Sequence, residues 1–98
     1  MNSIALTRSI TPPGGHFCPA KQDSVYEADS FNIQELPAKA QQSLPNGFTV
    51  LEISAGNVYA WSGTGWEDEI NGGPVSSTSI TGTVYFRNPA TYDVEFVW

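Results

Sequence analysis

The amino-acid sequence predicts a mainly β protein: a small antiparallel β-sandwich or barrel with an extended N-terminal arm and at most one short helix. Three observations predict it. Val, Ile, Thr, Tyr, Phe and Trp, which suit a pleated and half-buried surface, are concentrated in the second half of the chain. Residues 48–70, FTVLEISAGNVYAWSGTGWEDEI, fall into three strand-forming runs separated by SAGN and SGTG, the pattern of an antiparallel meander. Residues 80–98 alternate apolar and polar side chains on both sides of Asn88-Pro89-Ala90, the pattern of a hairpin with one buried face. A chain of 98 residues has room for one domain that buries roughly 65% of its unfolded surface. The organisation expected is an arm over residues 1–24 and a single β domain over residues 25–98.

The arm opens on Ile4, Leu6 and Ile10, which hint at a short strand, and TPPGG at residues 11–15 then stops any regular element. Two readings stand for it, a frayed terminus or a segment ordered by lying on a neighbouring subunit. Its apolar residues Ile4, Leu6, Ile10 and Phe17 favour the second, because disordered tails are poor in such side chains. These four are the candidate partner-binding residues.

Residues 25–33, VYEADSFNI, alternate weakly and read as an edge strand broken at Asp29-Ser30. In IQELPAKAQQSLPNG, Pro37 suits a first helical turn, Leu36, Ala40 and Leu44 share a face, and Pro45-Asn46-Gly47 ends the element. One or two helical turns capping the sheet are expected there, with an irregular loop as the alternative. In the meander, Gly63-Thr64 as a two-residue turn makes Trp61 and Trp66 direct cross-strand neighbours. Two-residue turns at both ends put Phe48, Val50, Tyr59, Trp61, Trp66 and Ile70 on one face and Thr49, Leu51, Ile53, Val58 and Ala60 on the other. Both faces are substantially apolar, so the sheet is expected to be covered twice, once by its own core and once by the arm or another subunit. The last hairpin is expected to pair Phe86 with Tyr92, Val84 with Val94, Gly82 with Phe96 and Ile80 with Trp98.

Charge and composition narrow the function. Ten acids oppose four scattered bases, a net charge of −6, so there is no basic patch to neutralise phosphates or an anionic membrane surface. Neither nucleic acid nor membrane is an expected partner, and no apolar run is long enough to cross a bilayer. The first ten residues lack a basic n-region and a long apolar core, so export by a secretory signal is not expected. Cys18 is the only cysteine; with His16 it falls short of the four ligands of a structural zinc site, and an inert thiol is the simpler reading. His16 stands without a nucleophile motif, so neither an enzyme nor a cofactor is expected. Glu67-Asp68-Glu69 lacks the spaced oxygen ligands of a calcium loop and reads as solvated charge guarding an edge strand. Trp61 and Trp66 are a candidate ligand platform, set against a cross-strand clamp that needs no ligand.

Residues 56–66, GNVYAWSGTGW, resemble the G-x-V-Y-x-W-x-G-T-x-W hairpin that recurs in tailed-bacteriophage virion proteins, among them tail fibres, baseplate parts and capsid decoration proteins. The resemblance implies tryptophans that are chiefly structural and a non-enzymatic virion component assembled in the bacterial host cytoplasm. Tail fibres of this kind carry long repeats or coiled coils, and this sequence has neither. The expectation is therefore a capsid decoration or cement protein that contacts the major capsid protein or other virion subunits and self-associates on the virion. The alternatives are a tail, neck or baseplate accessory, a carbohydrate-binding β module, and a small host-directed phage protein.

Overall fold

A central seam between two strands distant in sequence organises the fold. The computed structural model describes residues 7–10, 16–19 and 22–98. Among the described residues the strands are β1 (Thr7–Ile10), β2 (His16–Phe17), β3 (Gln22–Asn32), β4 (Thr49–Glu52), β5 (Asn57–Trp61), β6 (Trp66–Asp68), β7 (Pro74–Val75), β8 (Ser79–Asn88) and β9 (Phe96–Val97); α1 is Glu35–Lys39. Seven of these strands form one sheet in the order β1-β3-β8-β4-β5-β6-β7, and β2 pairs with β9 in a second, two-stranded sheet. Among the described strands β1 runs parallel to β3, and the other pairings are antiparallel.

The meander forms with the expected faces, and its second hairpin has the expected register; β4 and β5 pair two residues away from the register of a two-residue turn. Val50 faces Tyr59 and Leu51 faces Val58 between β4 and β5, and Trp61 faces Trp66 between β5 and β6. The second turn is the two-residue type. Ser62 N–H donates to Gly65 O at 2.9 Å, and Gly63 adopts φ +105°, a left-handed conformation that a glycine takes without steric cost. The first turn is longer than expected, with residues 53–56 looping between Glu52 and Asn57. It keeps the same faces because the register is set by Val50–Tyr59. Ile70, expected on the inner face, sits instead in the turn after β6 and is 60% exposed. The strand ends at Asp68 because that carboxylate captures the N–H groups of Ile70 and Asn71, each at 2.9 Å.

Three other expectations are corrected. Residues 80–98 do not form a hairpin: β8 lies between β3 and β4, while Phe96 and Val97 pair with Phe17 and His16. Most of the residues that the alternation turns inward do lie in the core, since Ile80, Val84, Phe86, Val94 and Phe96 are all fully buried. Tyr92, expected on that face, is 47% exposed. Asn88 turns the chain away: it is buried, its Nδ2 donates to Tyr92 O at 2.8 Å, and its Oδ1 accepts from Ala90 N at 3.0 Å. Second, β3 is an interior strand rather than an edge, flanked by β1 and β8. The expected break at Asp29-Ser30 is a β-bulge, fastened by Thr81 Oγ1, which donates to the carbonyls of Ala28 and Asp29. Third, Glu67 and Asp68 do not guard an edge, because β7 pairs outside β6.

Where it is described, most of the segment expected as an arm is strand within this chain's own sheets. Thr7–Ile10 runs beside Val25, Tyr26, Glu27 and Ala28, Val94 N–H donates to Pro19 O at 3.1 Å, and Cys18 N–H donates to the Tyr26 hydroxyl at 3.1 Å. The boundary expected at Ser24 falls inside β3.

The core fills the space between the inner face of the large sheet and a second layer made of α1, β9 and their flanking loops. Phe86 is its hub, with ring centroids 5.4 Å from Tyr26, 6.4 Å from Phe31 and 5.9 Å from Phe48. Phe48 reaches across to Phe96 of the second layer at 5.9 Å, nearly edge-on, a favoured aromatic geometry. The helix is a single turn that buries Leu36 completely. It stops because Ala40 becomes extended and bridges to Phe96, with Gln41 N–H donating to Glu95 O at 2.8 Å. Leu44 closes the core beyond it.

Candidate functional site

Alternation along the strands gives the large sheet a second, outward face. Register puts Val25 beside Tyr85, Tyr85 beside Leu51, and Leu51 beside Val58, so four apolar side chains line up across four neighbouring strands. Each is half-buried. Ile53, 51% exposed at the end of β4, extends the belt toward the rim. Its flanks are acidic: Glu27 on β3, with Thr83 Oγ1 donating to its Oε2 at 2.6 Å, Glu67 on β6, and Glu69, whose N–H is bonded to Val58 O at 2.9 Å. Arg87 adds a basic residue to this face, opposite Thr49. The sequence pattern makes this face legible on β4 and β5. It misses Val25 and Tyr85, because their strands pair with partners far away in sequence.

The tryptophan pair lies on the opposite, inner face. The Trp61 and Trp66 rings meet edge to face, with centroids 5.3 Å apart and planes at 61°. Trp66 is 1% exposed, so it offers no open face to a ligand; Trp61, partly buried, packs against the core. The geometry is that of a clamp. Of the residues expected to bind a partner, Ile4 and Leu6 lie outside the described residues, Ile10 ends β1 and Phe17 is in β2.

A separate cavity of about 330 Å³ lies beside the β3 bulge, between residues of β3, α1 and β8 and Trp98. Trp98, Phe31, Glu35 and Lys39 line it together with Ser30, Asn32 and Ser79. Trp98 Nε1 donates to Glu35 Oε1 at 3.0 Å. The Asn32 side chain is tied into the wall: its Nδ2 donates to Ser77 Oγ, and its Oδ1 accepts from Gln34 N at 2.9 Å. In the sequence the only trace of this cavity is the break at Asp29-Ser30.

Among the described residues, no three His, Cys, Asp or Glu side chains gather in a way that could hold a metal ion, and no helix is long and apolar enough to cross a membrane. The carboxylate of Glu52, a buried residue, is spent on structure, accepting from Asn57 Nδ2 and Thr81 N, each at 3.2 Å. Comparison with protein-family models, curated proteins and solved structures finds no significant match.

Proposed function

We propose that this protein is a non-enzymatic structural component of a tailed-bacteriophage virion, a decoration or cement protein that lies across capsid subunits and stabilises the shell. The observation that carries this reading is the outward belt Val25–Tyr85–Leu51–Val58, an apolar strip on the face turned away from the core. Covering such a strip contributes roughly 25 cal/mol per Å² of apolar area. A shell repeats that contact many times, so weak single attachments become tight collectively. Glu27, Glu67 and Glu69 around the strip match a partner surface with an apolar ridge flanked by Lys or Arg. The GNVYAWSGTGW hairpin supports the same reading through its likeness to virion proteins.

The test is mass spectrometry of purified particles from the virus or prophage that carries this coding sequence. The protein is expected in a fixed ratio to the major capsid protein, and its absence from particles overturns the proposal. The double substitution Leu51→Lys with Val58→Lys is expected to leave the fold intact and abolish attachment to particles lacking the wild-type protein; undiminished attachment removes the belt from the interface. A tail, neck or baseplate accessory is the second reading, favoured instead if copy number follows the tail proteins rather than the shell.

A further inference from the structure

We propose that the cavity beside Trp98 is a binding site for a neutral carbohydrate; this stands apart from the virion reading and does not rest on it. The Trp98 indole is half-buried and held in place, by its Nε1–H to Glu35 at 3.0 Å and by a tilted contact with Phe31 at 6.0 Å between ring centroids. A sugar ring offers one apolar C–H face, and a fixed aromatic ring covers it with little ordering cost. The cavity lining also includes Ser30 and Ser79, whose hydroxyls lie 3.5 Å apart and can each donate and accept, as a polyol requires. The carboxylate of Glu35 and the ammonium of Lys39 both line the cavity, so neither sign of ion is favoured overall, and a neutral hydroxylated ligand finds an acceptor in one and a donor in the other. At about 330 Å³ the cavity sits at the small end of ligand sites, the size of one or two sugar rings rather than a long chain. This moves the aromatic platform from Trp61 and Trp66, which the clamp geometry occupies, to the third tryptophan.

The experiment is an NMR titration that follows the three assigned indole N–H resonances with cellohexaose, maltohexaose, chitohexaose and mannohexaose, and with free phenylalanine as the zwitterion that also matches Glu35 and Lys39. At least one oligosaccharide is expected to move the Trp98 resonance saturably while Trp66 stays still. Ser79→Tyr, which adds bulk at an exposed residue lining the cavity, is expected to raise Kd tenfold or more, with unshifted Trp61 and Trp66 resonances reporting an intact fold. The proposal is overturned by no saturable Trp98 shift with any of the four sugars up to about 50 mM, weaker than the millimolar end of the usual affinity scale. It is equally overturned by unchanged binding in Ser79→Tyr, or by a response to phenylalanine alone.

Discussion

Trp61 and Trp66 face each other across the β5–β6 hairpin with ring centroids 5.3 Å apart, one ring edge directed at the other's face. Such pairs contribute about 0.5–1.5 kcal/mol beyond the area they bury, and the two members are unequally placed. Trp66→Ala empties a fully buried site and is expected to cost about 3–5 kcal/mol. Trp61→Ala removes a partly exposed ring and is expected to cost about 2 kcal/mol. Urea unfolding of the two single variants and the double variant measures the coupling, expected near 1 kcal/mol. A coupling of zero means the rings merely sit side by side.

Gly82 adopts φ +85°, and a Cβ built there lies 2.6 Å from Ser54 Oγ. Two costs meet at one position, and they can be separated. The hydroxyl is the end of a short side chain on an exposed turn and can rotate aside, whereas the left-handed backbone cannot be relieved. Gly82→Ala is therefore expected to destabilise by about 1–2 kcal/mol, and adding Ser54→Gly is expected to recover only a small part. Full recovery in the double variant, read from thermal or urea midpoints, makes the clash the larger cost instead.

Two groups give the stability a pH dependence of opposite sign. The Asn71 backbone N–H on the Asp68 carboxylate, helped by the Ile70 N–H and the Asn71 side chain, holds Asp68 below the usual carboxylate range. Its folded pKa is depressed, so its stabilisation is present above the unfolded value of about 3.9 and is lost as pH falls through the folded value. Burial, with the charges of Glu52 and Asp68, pushes the Tyr59 phenol up. Its stabilisation is complete below the unfolded value of about 10 and is lost as pH rises through the folded value. Asp68→Asn is expected to flatten the acid limb of a urea-midpoint against pH curve, and Tyr59→Phe the alkaline limb. An unchanged alkaline limb in Tyr59→Phe assigns that loss to other groups.

The meander is legible in the sequence because its information is local. Gly63-Thr64 selects the turn, the turn selects Trp61 opposite Trp66, and alternation then assigns the inner and outer residues from Thr49 to Trp66. The C-terminal stretch is half legible for the same reason. Alternation marks Val84, Phe86, Val94 and Phe96 as buried, yet it says which side of a strand faces the core and not which strand lies beside it. A local pattern offers only the nearest neighbour, and the chain uses distant ones: Tyr26 opposite Val84 and Phe17 opposite Phe96. The cavity leaves no trace but the break at Asp29-Ser30, since Ser30, Glu35 and Trp98 have no shared spacing and meet only because a bulge, a helical turn and the residue after β9 fold to one corner.

The central seam also dictates when this molecule can be assembled. Gln22 pairs with Asn88 and Asn32 with Ser79, so β3 cannot finish zipping onto β8 until Asn88 has followed it out of the ribosome. The hairpins formed by β4, β5 and β6 close early over short loops, whereas bringing β3 onto β8 demands the entropy of a long closure before any hydrogen bond repays it. Until that moment β3 is an eleven-residue strand whose β8-facing edge is bare, and the time it spends so is the interval in which a crowded cell can misjoin one copy to another.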